Sequence, residues 1–129
     1  MERRYSKQRE CILNVLSCTK EHPDAEAVYT AVRAVIPNVS LGTVYRNLNE
    51  LVMSGEIGAI DVGDGRLHYD YNTEEHQHFV CRDCGRISDL YLKSDMPSRV
   101  AKLGYEVNGI QTVLYGKCCD CCAASKIQN

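Results

Sequence analysis

Residues 74–85, EEHQHFVCRDCG, constrain the fold more than any other stretch. They set His76, His78, Cys81 and Cys84 within nine positions, and a second cluster, KCCDCC, follows from Lys117. Cys81-x-x-Cys84 joined to a later C-x-x-C pair is the ligand spacing of a closed, tetrahedral four-thiolate zinc site. Two tight turns would each present two sulfurs, so the chain near residue 81 must meet the chain near residue 120. Spacing alone leaves the second pair open between Cys118/Cys121 and Cys119/Cys122, and the leftover pair would be two free thiols. The competing readings are a thiol redox pair or unrelated core cysteines.

Of eight cysteines, six lie in these clusters. A chain without a secretory signal favours metal-ligating or redox thiols over structural disulfides. The opening MERRYSKQRE is charged and leads into no signal-peptide apolar core, and no apolar run approaches the ~20 residues of a membrane span. A cytoplasmic protein is expected. Cys11 and Cys18 sit in or beside a helical apolar stripe and read as core packing.

The histidines separate from the cysteines by parity. On a strand HQHFVC, His76 and His78 point to one face and Cys81 to the other. An H-x-H pair with carboxylates suits Fe(II), Mn(II) or a non-thiolate Zn(II). The available partners are Asp70, Asp89 and His22. If His22 joins, one ion links two lobes and sets their relative angle.

Upstream, SKQRECILNVLSC places Cys11, Ile12, Val15 and Leu16 at helical spacing. Asp24 is an N-cap for AEAVYTAVRAVI, with Ala25, Val28, Val32 and Val35 on one stripe. Ser40 caps LGTVYRNLNELVMSG, whose apolar face is Val44, Leu48, Leu51 and Val52. Two short β-prone runs then flank Asp64-Gly65, a hairpin signal. Three helices and a hairpin are the order of a winged helix-turn-helix, with the third helix offering Thr43, Tyr45, Arg46 and Asn47 to phosphates or base edges. The plain alternative is a small helical domain with a polar face.

Net charge is −2, but residues 1–9 carry +3 through Arg3, Arg4, Lys7 and Arg9 against Glu2. DNA contact is therefore expected to be local, from the N-terminal segment and one helix. The fold expected is α+β: a winged helix-turn-helix over residues 1–71, a polar linker at 72–75, and a small α/β dimerisation and metal-binding domain over 76–129. In that second domain HQHFVC, GRISDLYL and YEVNGIQTVLYG read as strand segments and SDMPSRVAKLG as a short helix capped by Ser94 or Asp95. A lobe this small needs a structural metal or a dimer partner.

HPDAEAVY, SLGTVYRNLNELVMSG, HYDY, HQHFVCRDCG, ISDL and YGKCCDC, in this order, resemble the ferric uptake regulator family of bacterial metal-responsive repressors over essentially the whole chain. The resemblance implies a homodimeric repressor of double-stranded DNA, with no enzymatic activity and no membrane association. It maps the structural zinc to Cys81, Cys84, Cys118 and Cys121, and a regulatory Fe(II) or Mn(II) to His22, Asp70, His76, His78 and Asp89. DNA contacts fall on Arg9, Ser40, Thr43, Tyr45, Arg46 and Asn47. Zinc-uptake members commonly have cysteine at the position of Asp70, and iron-uptake members glutamate at those of Asp70 and Asp89. Aspartate at both resembles the peroxide-responsive branch, in which His22 and His76 would be the oxidation-sensitive ligands. The alternative within the family is an iron- or manganese-responsive repressor without peroxide sensing.

A third family site uses histidine where Ile110 stands, so it is expected to be absent. Three features depart from the family pattern. The helix holding Gln8 and Arg9 starts almost at the first residue, so a leading helix is missing or very short. His68 lies two residues before Asp70, as an alternative ligand or a solvated side chain. Cys119 and Cys122 are additional thiols. A metalloenzyme and a Cys119/Cys122 thiol switch are the readings from other classes.

Overall fold

The computed structural model describes residues 2–128, and side chains from Lys7 to Ser125. The chain divides between Glu74 and Glu75 into two compact units.

The first unit is built from helices α1 (Glu2–Ser17), α2 (Ala25–Arg33) and α3 (Leu41–Met53), then strands β1 (Gly58–Asp61) and β2 (Leu67–Asp70). Ile12 and Leu16 from α1, Val28 and Val32 from α2, and Val44, Leu48 and Leu51 from α3 are fully or almost fully buried in one core. Their i, i+3/i+4 spacing turns one stripe of each helix inward. Truncating a side chain such as Leu48 to alanine there costs about 2–5 kcal/mol. The two inner helices are capped as their sequences require. Asp24 Oδ1 accepts from the Ala27 amide at 2.8 Å, and Ser40 Oγ accepts from the Thr43 amide at 3.1 Å, each cap contributing about 1 kcal/mol.

The hairpin pairs antiparallel, from Gly58 opposite Asp70 to Asp61 opposite Leu67. Gly63 and Gly65 both have φ 85°, which lets the intervening five-residue loop reverse the chain. These elements make a winged helix-turn-helix, with α3 in the recognition position and the hairpin as the wing.

Two expectations for this unit change. The helix spacing of residues 25–36 stops early, because α2 ends at Arg33 with Ala34 as its C-cap, and Val35 is 68% exposed. Cys18 lies just beyond α1 and is exposed, so it is not a core residue; Cys11 is buried. Helix α1 already includes Glu2, as expected of a helix that holds Gln8 and Arg9 and starts almost at the first residue. The side chains of Arg3 and Arg4 lie outside the described residues.

The second unit has β3 (Gln77–Cys81), β4 (Ile87–Leu90), α4 (Met96–Ala101), β5 (Val113–Gly116) and α5 (Cys119–Gln128). The sheet order is β4-β3-β5, with β4 antiparallel and β5 parallel to the central strand. Asp95 is the N-cap residue of α4, while Ser94 Oγ accepts from the Met96 amide at 3.3 Å. The strand expected over YEVNGIQTVLYG is confined to its last four residues. Helix α5 had no expectation, because CDCCAASKIQ shows no apolar stripe to announce it. Among the described residues, no helix is long and apolar enough to cross a membrane.

Candidate metal centres

The cysteine site is assembled by strand register. Cys81 ends β3 opposite Gly116, the last residue of β5. The Arg82 amide donates to the Gly116 carbonyl at 2.7 Å, which brings Cys118, two residues on, beside Cys81. A side chain at Gly116 would meet the Phe79 ring at 3.2 Å, so the close approach favours glycine there. On the other side, the amide of Gly85 (φ 77°) donates to the Cys81 carbonyl at 2.9 Å and closes the Cys81-to-Cys84 turn.

Cys81, Cys84, Cys118 and Cys121 converge, with Sγ atoms within 4.8 Å of one another. Cys81 and Cys121 sulfurs are 3.7 Å apart, and those of Cys84 and Cys118 are 3.8 Å apart. A tetrahedral zinc with Zn–S bonds of ~2.3 Å requires sulfur separations of about 3.8 Å. The register, not the C-x-x-C spacing, selects Cys118 and Cys121. Cys119 is exposed, and Cys122 Sγ donates to the Lys117 carbonyl at 3.5 Å.

The electrostatics of this cluster ask for a cation. Amide donors from Cys84 and then Cys118 lower the Cys81 pKa to about 6. Cys118 is lowered by the Cys121 amide. Cys121 is driven the opposite way, chiefly because its thiol is hydrogen-bonded to the Cys118 and then the Cys81 sulfur, which favours its protonated form. Four sulfurs this close cannot all ionise alone, and a divalent ion removes that conflict. Arg86 flanks the site, with its guanidinium 3.8 Å from Cys118 Sγ and 2.7 Å from Asp120.

The nitrogen and oxygen donors occur as one set in each unit. In the second unit His78 stands opposite Asp89 across β3 and β4. Asp89 Oδ1 lies 3.4 Å from Nε2 of both His76 and His78. The two imidazole rings meet edge to face at 4.4 Å, and Tyr91 stacks on His76 at 5.4 Å. Cys81 projects from the opposite face of β3, as parity requires. In the first unit His22 is 3% exposed, with Nε2 3.3 Å from Asp70 Oδ2. His22 has φ 55°, a left-handed backbone that a non-glycine residue adopts at a cost of order 1–3 kcal/mol.

His68 is not available as a ligand in this arrangement. Its Nδ1 is 2.7 Å from the His22 carbonyl oxygen and its Nε2 is 2.7 Å from Asp64 Oδ2. Its engagement, like the Tyr91 stacking, was missed from sequence. The available signal was the alternation of Arg66, His68 and Asp70 on one side of β2.

On α3, Tyr45 and Arg46 are exposed, and Thr43 is half-buried beside the capping Ser40. Asn47 is corrected as a DNA contact. It is 1% exposed, and its Nδ2 donates to the Thr43 carbonyl at 2.9 Å. Arg9 forms an ion pair with Glu56.

Residues 1–115 match the family model described as "Ferric uptake regulator family". The peroxide-responsive repressor PerR of Staphylococcus epidermidis is 31% identical over 121 residues, covering 92% of this chain and 81% of that protein. The repressor of the same name from Staphylococcus aureus strain USA300 is 32% identical over 121 residues, covering 92% and 82%. Among solved structures, the Campylobacter jejuni peroxide stress regulator superposes with a TM-score of 0.77 at 35% identity, covering 92% of this chain and 90% of that one. The Helicobacter pylori ferric uptake regulator, described as having three functional metal-binding sites, gives 0.75 at 26% identity, covering 89% and 79%. The four-sulfur cluster fits zinc, and the histidine and aspartate donors fit iron or manganese. The chain belongs to the ferric uptake regulator family, whose members are metal-responsive transcriptional regulators and not enzymes.

Proposed function

We propose that this protein is a homodimeric repressor whose grip on operator DNA depends on a regulatory Fe(II) or Mn(II) and is ended by peroxide. The observation that carries the reading is the donor chemistry. Each unit holds an incomplete imidazole and carboxylate set, two groups in the first and three in the second, and both aspartates are the short carboxylates of the peroxide-responsive branch. The second set is a two-histidine, one-carboxylate triad of the kind that holds Fe(II) with coordination positions left open, and the first set offers an imidazole and a carboxylate to fill them. A single ion shared by His22, Asp70, His76, His78 and Asp89 would use both sets and fix the winged helix relative to the rest of the subunit. In a dimer that sets the separation of two recognition helices over successive major-groove half-sites. Metal and DNA then occupy distinct sites with reciprocal coupling.

Bound Fe(II) supplies the reductive activation of hydrogen peroxide, and Mn(II) does not readily do so. The residues exposed to that chemistry are the ligands themselves, foremost His22 and His76. An imidazole that gains oxygen loses its basic nitrogen geometry, releases the ion and frees the winged helix.

The test combines DNA binding by the apo, Fe(II) and Mn(II) forms, before and after peroxide, with mass spectrometry. One added oxygen on peptides bearing His22 or His76, in the iron form alone and together with loss of DNA binding, is the expected result. An iron form that keeps its DNA and gains no oxygen removes the peroxide step and leaves a plain iron- or manganese-responsive repressor.

A further inference from the structure

The wing strand makes a set of contacts to the His22 segment that metal ligation does not use. Arg66, His68 and Asp70 alternate along one side of the chain at β2. Arg66 Nη1 is 2.7 Å from Asp24 Oδ2, His68 Nδ1 is 2.7 Å from the His22 carbonyl oxygen, and Asp70 Oδ2 is 3.3 Å from His22 Nε2. Backbone contacts reinforce them. The Tyr69 amide donates to the Pro23 carbonyl at 2.9 Å, and Asp24 forms an antiparallel bridge with His68. The second ring nitrogen of His68 faces the other way, 2.7 Å from Asp64 Oδ2 in the loop between β1 and β2. One imidazole therefore spans from the backbone of a metal ligand to the tip of the wing.

Both neighbours of the ring are acceptors. A neutral imidazole serves one of them with its single N–H, and the imidazolium serves both. The carbonyl contact matters because His22 holds φ 55° directly before Pro23. That backbone needs external bonds to persist. Asp64 itself is bent back by an Asx turn, its Oδ1 accepting from the Arg66 amide at 3.2 Å, so the loop end of the link is also shaped.

We propose that His68 is a positioning residue that holds His22 in its ligating backbone conformation and ties it to the wing loop, so that metal capture by His22 and Asp70 orders residues 62–66 for DNA. The proposal rests on the metal-dependent DNA-binding reading above and adds a route that lies wholly within the first unit. A ligand that favours one conformation of the His22 segment favours the same state of everything bonded to it. The wing is thus switched by ligation itself, in addition to any change in domain angle.

Hydrogen exchange of the full-length, zinc-loaded dimer, with and without Mn(II), tests this in the wild type, Asp64→Ala and His68→Phe. Asp64 is a partly exposed loop residue and no metal donor, so its removal cuts the wing arm of the link and spares the fold and the ligands. In the wild type, Mn(II) slows exchange in both the His22 segment and residues 62–66, by about tenfold for a segment moved from an open to a held state. In Asp64→Ala the slowing persists at the His22 segment and disappears from the wing loop. His68→Phe loses both and binds Mn(II) about tenfold more weakly, the lower scale for an outer-shell partner. Equal slowing of residues 62–66 in wild type and Asp64→Ala overturns the link, as does slowing confined to the His22 segment in the wild type. If Mn(II) slows exchange nowhere in the wild type, the metal reading fails first and the link falls with it.

Discussion

Asp89 Oδ1 sits 3.4 Å from His78 Nε2, directly across the antiparallel pair of β3 and β4. The same oxygen is 3.4 Å from His76 Nε2, so three donors already converge on one face of the sheet. Opposed residues on neighbouring strands share a face and are the closest side-chain pairs a sheet offers. The carboxylate gathers the two rings, and its charge is what a divalent ion would exploit.

Asp89→Asn keeps that shape and removes the charge. Mn(II) affinity should fall by at least about 10–100-fold, the scale already seen when only an outer-shell partner is lost. Titration followed by the electron paramagnetic resonance of free Mn(II) measures it, with circular dichroism to confirm the fold. Unchanged affinity would remove Asp89 from the regulatory set.

The four central cysteines of KCCDCC are not equivalent, and serine substitutions should sort them. Cys118→Ser and Cys121→Ser remove sulfurs within 4.8 Å of Cys81 and Cys84. Each should abolish stoichiometric zinc and lower the thermal midpoint of the second unit, since structural zinc sites contribute to folding, with about 10–16 kcal/mol of apparent binding free energy in small zinc modules. Cys119→Ser should retain zinc and its thermal midpoint, because Cys119 points outward. Metal analysis by inductively coupled plasma mass spectrometry separates the two classes, and zinc loss in Cys119→Ser would reverse the assignment.

Helix α3 supports a similar division between binding and stability. Arg46 is exposed on the recognition helix, whereas Asn47 is 1% exposed. Arg46→Ala should weaken DNA binding and, if its partner is a phosphate, reduce the salt slope by about 1. Asn47→Ala should instead lower thermal stability by about 1 kcal/mol through its lost bond to the Thr43 carbonyl. Its DNA affinity should be unaltered at temperatures where it is folded. The assay is fluorescence anisotropy over a salt series, beside thermal melts. A stable Asn47→Ala that fails to bind DNA would return Asn47 to the interface.

The sequence carried these distinctions unevenly. A strand has a period of two, so His76 and His78 had to part from Cys81, and β3 shows that split. The cap positions Asp24 and Ser40 were legible because each requires a specific side chain at a specific place. Asn47 was misjudged although its signal was present: it stands three residues after Val44 and four before Leu51, on the buried stripe. Val35 continued an apolar pattern past the point where the backbone leaves the helix, which hydrophobic spacing does not register. Spacing left Cys118/Cys121 and Cys119/Cys122 open; the family resemblance chose Cys118 and Cys121, and the β3–β5 register gives the physical reason, a long-range fact outside any C-x-x-C spacing. His68 was half legible: its alternation with Arg66 and Asp70 sets it on one side of β2 and Asp64 is only four residues away, but its partner at the His22 carbonyl lies 46 residues away.

The zinc site predicts its own pH dependence. Amide donors from Cys84 and Cys118 lower the Cys81 pKa from an ordinary 9.0 to about 6. A thiol whose pKa falls on folding is stabilised as the thiolate. Its contribution is complete above the unfolded value near 9, declines as pH falls below it, and is gone once pH drops through about 6. Zinc-free protein, kept reduced and anaerobic, should therefore melt at higher temperature as pH rises from 6 towards 9, the window set by that shift. Cys81→Ser should have a flatter profile over the same range. With zinc bound, protons compete for the same sulfurs, so zinc transfer to a chromophoric chelator should accelerate as pH falls towards 6 and below. Identical pH profiles for the zinc-free wild type and Cys81→Ser would show that the amide donors do not hold a thiolate at Cys81.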